Sequence, residues 1–486
     1  MTERTQRGDR NRKTDAPKVQ ATAEWAPLEA VRMHLPGVET FVGILDPEPN
    51  LFLEQFSLVE AQREHHALAD DFREALGDDD AVHYLHDDLA SNGEMDALLS
   101  SRVQFDLSDL DPQNELSEQD KLWTRLHGLS PHTQLQAVAS NAKVVRHRAE
   151  DNGDFEGTNP TRCDTSSVTL SQPLTNMYFQ RDPHFVTRKG VVLCSMKQTT
   201  RQPEVDIARA SWQALDGEYD VEIVADLSRV DTHDVSEYVP ERDDIQSTDV
   251  TIEGGDFIPA GDFALLGTSA KISEGDTYPE LGVTAEDTEL VHRTTYAAGH
   301  KLLVEDAFGT DEVALVRAPF EAAQKRSEDS EVDMDIMHLD TWFNFADEDL
   351  VVAHQELVDN TVVDVYERTD GGDECPYELT RPDVNFGEYI REKGFEVVDA
   401  VELIDPDHED ADAALKAVTN FLTLGPRKIL PVRFDESDDG VMVPFITELR
   451  EEYDVEIVPD GEGRKIKNLR AGYGAIHCMT TPIRRV

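Results

Sequence analysis

Residues 184–196 read HFVTRKGVVLCSM, residues 204–215 EVDIARASWQAL and residues 219–227 YDVEIVADL. The first is an apolar run, a turn built on Lys189-Gly190 and a second apolar run, which is a hairpin. The second has apolar residues at helical spacing, and the third is again a strand. The same grammar returns in FIPAGDFALLGTS (257–269), turning on Gly261-Asp262, and in WFNFADEDLVVAH (342–354), turning on Asp347-Glu348-Asp349. Helix followed by strand returns in FGEYIREKGFEVVDAV (386–401) and FITELREEYDVEIVPD (445–460). The recurring unit is strand, strand, helix, strand, at uneven intervals of about 70 to 140 residues. Such divergent repetition fits a ring of modules better than a doubly wound sheet.

Working outward, PLEAVRMHLPG (27–37) reads as a strand closed by Pro-Gly, and LEQFSLVEAQREHHALADDFREALG (53–77) as an amphipathic helix. Residues 87–150 give only helix-like pieces, such as SEQDKLWTRLHGL and PHTQLQAVAS, and are expected to be a helical insertion. Residues 1–23 are polar, mostly basic in their charge and without periodicity, so a disordered tail is expected there. The expected division is therefore 1–23, 24–86, 87–150 and 151–486.

The chain of 486 residues carries 100 acidic against 45 basic residues, a net charge of −55. Such a field repels nucleic acid and anionic membrane, so neither is an expected partner. The acids are spread over helix faces and loops rather than gathered in one tail, as on the surface of a halophile's protein. Their mutual repulsion acts over roughly 30 Å in 0.01 M salt but only about 3 Å at 1 M. Folding and activity are accordingly expected to require molar salt. Circular dichroism and activity in about 10 mM buffer check this, and a fully folded, active protein there would contradict it. No run of eighteen apolar residues and no signal-like start is present, and the four cysteines, Cys163, Cys194, Cys375 and Cys478, form no CxxC pair. A reduced, cytoplasmic protein is expected.

Chemistry-bearing residues stand just ahead of the hairpins. NMYFQRDPHF places Asn176, Arg181 and Asp182 before the first, IEGGDFI places Glu253 and Asp256 before the second, and MHLDTWFNF places His338 and Asp340 before the third. IHCMTTPI places His477 and Cys478 before a terminal strand. If the modules are related by rotation, these entrances converge at one end of a common axis. Singly, each residue has an ordinary structural reading: Asp before Pro forms turns, Glu-Gly-Gly-Asp is a tight turn, and a lone histidine sits hydrogen-bonded in many cores. Cys163, Cys194 and Cys375 read as loop or packing residues. Glycines 472 and 474 let the backbone near Cys478 approach something closely.

Two chemical readings of the set compete. A metal site would use His338, Asp340, Glu253 and His477, although the spacing is not HExxH and no cysteines are paired. The other reading is a cysteine nucleophile with one histidine and three carboxylates. Three carboxylates disfavour a thiolate. They suit a cationic substrate, above all a guanidinium, whose planar fork of N–H donors two carboxylates can hold.

Taken in order, NMYFQRDPHF, EGGDF, HLDTWFNFAD and HCMTTPIRRV resemble the arginine deiminase family, within the guanidino-group-modifying superfamily. The resemblance implies a pentein fold, a five-bladed pseudo-symmetric α/β propeller of ββαβ modules with an inserted α-helical domain. It implies hydrolysis of arginine to citrulline and ammonia, with Cys478 as nucleophile, His338 as general acid/base, Glu253 orienting it, and Asp182 and Asp340 clamping the guanidinium. Asn176, Phe179, Arg201 and Gly472 would bind substrate. It implies no cofactor and no metal, arginine as the small-molecule partner, and a homo-oligomer. Where the family has arginine five residues before the cysteine, this chain has Tyr473; where it has arginine after the Glu-Gly-Gly-Asp hairpin, this chain has Lys271. An amidinotransferase, an agmatine or dimethylarginine hydrolase, and a non-catalytic acidic binding protein remain as alternatives.

Overall fold

The computed structural model describes residues 16–108, 112–147, 165–230, 250–269, 277–278, 283–284, 293–317, 336–369, 375–404, 417–433, 441–472 and 474–486. Within them the hairpin readings hold. His184–Val186 pairs antiparallel with Val191–Leu193, the helix Gln202–Leu215 follows, and Ile223–Asp226 returns parallel to the second strand. Phe257–Ala260, Phe263–Thr268, the helix Tyr296–Val304 and Glu312–Arg317 repeat that order. So do Phe343–Phe345, Leu350–Ala353, the helix Phe386–Glu392 and Glu396–Asp399.

Two further units complete the described set. One is Leu422–Gly425, Lys428–Leu430, the helix Val443–Glu451 and Glu456–Ile457. The other joins distant parts of the chain. Thr481–Arg485 pairs antiparallel with Leu28–Met33, the helix Leu58–Leu76 follows, and Val82–Tyr84 returns parallel. The architecture is mixed α/β, and each of these five units combines an antiparallel and a parallel strand pair.

The hairpin strands are buried along their whole length. That explains why they read as continuous apolar runs rather than alternating ones: both faces are covered. The helices carry the amphipathic pattern. Leu58–Leu76 is opened by Ser57, whose side chain accepts from Glu60 N, buries Ala61, Leu68, Ala69 and Phe72, and is closed by Gly77 at φ 68°. One apolar cluster runs from Val31, Tyr178 and Phe179 through Val352 to Leu422, Ile429 and Cys478, so several units share one core.

Two expectations need correction. Residues 16–23 are not a free tail: Gln20–Ala21 lies parallel to Thr481–Arg485, and Val19 is fully buried. The polar stretch before it hid this strand, in and beside which the small apolar residues Val19, Ala21 and Ala23 are buried. Residues 1–15 lie outside the described residues. The segment 87–150 is not purely helical either. Besides Leu85–Ser91, Glu94–Arg102, Pro112–His127 and Pro131–Ala139 it contributes Gln104–Asp106 and Ala142–His147 to a three-stranded sheet with Thr165–Leu170. These strands are short and half-exposed, and give no apolar alternation to read. No helix among the described residues is long and apolar enough to cross a membrane.

Candidate active site

Each of the five units leads into its first strand through a short segment, in the last case the one-turn helix Ile476–Met479, and these segments carry Asp182, Glu253, His338, Asn420 and Cys478 within five residues of the strand. Asn176, Phe179, Asp182, Arg201, His338, Gly472 and Cys478 line one narrow cavity, joined by Leu51, Arg293, Met337, Thr341 and Gly474. Asp182, Glu253, His338 and Cys478, expected to converge, do so. Leu51 and Arg293 were not foreseen, since each comes from a stretch with no periodic or motif signal.

Glu253 is fully buried and its Oε2 lies 2.9 Å from His338 Nε2. Arg293 donates to the same oxygen at 3.1 Å, and Lys197 N to Oε1 at 3.1 Å. Burial alone would raise the Glu253 carboxyl, but Arg293 and His338 overcome it and hold Glu253 well below the usual carboxylate range. Burial likewise works against a charged His338, yet Glu253, Asp182 and Asp256 raise it to about 9. His338 can lie this close because Gly255 has no side chain: a Cβ there would stand 2.5 Å from its Nδ1. Asp256 Oδ1 accepts from Leu339 N at 3.0 Å, tying the second unit's entrance to the third's.

On the other side of the cavity Cys478 Sγ lies 3.5 Å from Asp340 Oδ2 and 3.2 Å from Asn420 Nδ2. Burial, then Asp340 and Asp182, push its thiol well above the ordinary value, so the unliganded site holds a neutral thiol. Asp340 is itself lowered despite burial, by His477, whose Nδ1 is 2.7 Å from Oδ2. His477 continues to Glu24, 3.5 Å from its Nε2, and Glu24 to Arg485 at 2.9 Å. His477 is thus a support behind Asp340 rather than a member of the cavity wall.

Arg201 is fixed by Glu204, with bonds of 3.0 and 2.9 Å, and donates to Asp182 Oδ2 at 2.7 Å. This leaves Asp182 Oδ1 and Asp340 Oδ1 buried without a hydrogen-bond donor. Two open carboxylate oxygens are costly unless something donates to both. A guanidinium does so with one planar group.

The metal reading changes composition. Donor atoms of Asp182, Glu253 and His338 lie within 4.8 Å of one another, whereas Asp340 and His477 do not join them. Arg201 and Arg293 already balance the two carboxylates, so a metal ion would have to displace them. Gly472 and Gly474 are places of close approach, as expected. A Cβ at 472 would meet Tyr178 Oη at 2.4 Å and one at 474 would meet Phe179 at 2.5 Å, so the space goes to these rings. Cys194 is fully buried in the apolar core and Cys375 packs against it. Cys163, Lys271 and Tyr473 lie outside the described residues.

What such a cavity can hold, a small planar cation between a thiol and a histidine, places the chain among enzymes that modify guanidino groups. Residues 50–275 and 329–485 match the arginine deiminase family model. "Arginine deiminase" of Halobacterium salinarum is 68% identical over 474 residues, covering 97% of each chain. The chain belongs to the arginine deiminase family. Among solved structures it is similar to an amidinotransferase of the saxitoxin pathway from Microseira wollei, with 13% identity, coverage of 96% and 97%, and a TM-score of 0.45. It is also similar to DDAH from Pseudomonas aeruginosa, solved as a mutant with citrulline, with 10% identity, coverage of 94% and 99%, and a TM-score of 0.43.

Proposed function

We propose that Cys478, His338, Glu253, Asp182 and Asp340 carry out the hydrolysis of L-arginine to L-citrulline and ammonia in arginine catabolism. The observation that supports these roles best is the pair of open oxygens on Asp182 and Asp340 beside the thiol. Substrate enters with its guanidinium between the two carboxylates and its central carbon facing sulfur. The cation lowers the thiol's proton affinity, and Asp340 Oδ2 at 3.5 Å is the nearest acceptor for the proton. Sulfur then bonds to the guanidinium carbon, and one C–N bond breaks as protonated His338 supplies the proton with which ammonia leaves. His338, now neutral, takes a proton from water. The resulting hydroxide attacks the amidino-thioether; the adduct collapses to citrulline as its hydroxyl proton passes to solvent and the C–S bond breaks, and the proton held by Asp340 returns to sulfur to restore the thiol. Glu253 holds the histidine in line through both halves. Asn176, Phe179, Arg201 and Gly472 bind the amino-acid end.

The raised His338 has a signed consequence. The acid form is needed in the first half, so kcat/KM is expected to fall by about tenfold per pH unit above the His338 value of about 9. Glu253→Gln removes the main raising contact and should move this limb to lower pH. A pH–rate profile that stays flat above that value in the wild type, or a limb unmoved in the variant, would contradict the assignment.

We read the five units as blades of one closed α/β propeller, with 24–86 and 151–486 forming the ring and 87–150 inserted. The protein works in the cytoplasm as a homo-oligomer, and the reaction needs no cofactor or metal. The deciding assay is citrulline and ammonia from arginine in molar salt, run beside agmatine, methylarginines, and glycine or lysine as amidino acceptors. Turnover of another guanidino compound in place of arginine would overturn the substrate assignment, and amidino transfer to the amine would overturn hydrolysis.

A further inference from the structure

Four of the five unit entrances carry residues whose chemistry is plain from their type: Asp182, Glu253, His338 and Cys478. The fifth carries Asn420, two residues before Leu422–Gly425 and 1% exposed. Its amide is fully committed at the nucleophile. Nδ2 donates to Cys478 Sγ at 3.2 Å and to Asp340 O at 3.3 Å. Oδ1 accepts from Ala475 N at 3.0 Å and from Cys478 N at 3.2 Å, and the main-chain oxygen accepts from His477 N at 3.1 Å.

We propose that Asn420 is a catalytic residue of this site, donating from Nδ2 to the Cys478 sulfur and stabilising the thiolate when it attacks and when it is released. The choice of side chain follows from what surrounds the sulfur. Asp340 and Asp182 oppose its ionisation, so a donor is needed to offset them. A lysine or arginine there would repel the guanidinium that must approach the same atom. A neutral amide donates to sulfur without opposing the cation, and its oxygen meanwhile fixes the backbone on which the thiol is mounted. No proton is transferred to or from Asn420; its N–H bond shortens its contact to sulfur as charge builds and relaxes as the C–S bond forms.

This assignment rests on Cys478 being the nucleophile, and the test separates the two. Asn420→Ala and Asn420→Asp are compared with wild type and Cys478→Ser in molar salt. The readouts are kcat, KM for arginine, folded content by circular dichroism, and the pH dependence of iodoacetamide alkylation, with Cys478→Ser as background. Asn420→Asp keeps the oxygen that accepts from Ala475 and Cys478 but loses the donor and adds a negative charge, whereas Asn420→Ala loses the donor without adding charge, so a shift shared by both reports donation rather than scaffolding or added charge. Both variants are expected to lose about ten- to hundredfold in kcat, the range of one charge-assisted hydrogen bond. KM should change by less than about threefold, and the alkylation curve should move to higher pH by about one unit or more. Wild-type kcat and an unmoved curve in Asn420→Asp would overturn the proposal, as would a loss in Asn420→Ala that only follows its loss of folded protein. If Cys478→Ser itself forms citrulline, both readings fall. If it is inert while the Asn420 variants behave as wild type, only the role of Asn420 falls.

Discussion

Cys478→Ser is expected to stop citrulline formation, lowering kcat on the order of 10⁴-fold or more. The reason lies in the surroundings of the sulfur. Burial, Asp340 and Asp182 already push the thiol well above its ordinary value, so that attack depends on the arriving cation to draw out the proton. A serine hydroxyl is far less acidic than a thiol, and the same cation cannot ionise it in this site. The variant should keep the fold, since oxygen replaces sulfur with little change in shape and Asn420 Nδ2 retains an acceptor. Citrulline is measured over long incubation at high salt. Turnover within about tenfold of wild type would remove sulfur from the mechanism altogether.

The second large effect is expected at His338. His338→Gln should lower kcat by about 10²- to 10⁴-fold, the range of a positioned acid or base. Glu253 keeps Arg293 and the Lys197 amide as partners, so the buried carboxylate is not stranded by the change. Because His338 serves both halves of the cycle, intact mass of the acid-quenched variant is the informative readout. Slow hydrolysis would leave Cys478 carrying arginine less ammonia, and slow attack would leave it unmodified. Near-normal turnover in this variant would assign the proton transfers to another group.

The site was legible where a chemically distinctive residue preceded a readable hairpin. Asp182, Glu253 and His338 met both conditions, Cys478 preceded a readable strand whose partner lies far away in sequence, and the four line or support one cavity. Asn420 met only the second. Its hairpin, LTLGPRKIL, follows the same grammar, but asparagine is so common before strands and turns that its type alone says nothing. Arg293 met neither: it reaches Glu253 from forty residues further on, and only folding makes the pair. The elements followed the same logic. Continuous apolar runs showed the inner strands because both their faces are covered, whereas Gln20–Ala21 buries only small residues in a short alternation and Gln104–Asp106 is half-exposed, so neither stands out. The glycines near Cys478 were rightly singled out as places of close approach, but sequence could not tell that the rings of Tyr178 and Phe179 take the space a side chain would need.

The unit that presents Cys478 is assembled from opposite ends of the chain: Leu28 stands opposite Arg485, and Gln20 beside Arg484. Closing so long a loop is a modest thermodynamic matter, because its entropy grows only as about (3/2)RT ln n. It is a larger matter of time, since contacts far apart in sequence form slowly. The nucleophile therefore reaches its place only in molecules whose remote strands have found each other. Catalysis in this protein is a report on the whole chain: a partly folded molecule owns the cysteine, but it has no sulfur in position to use.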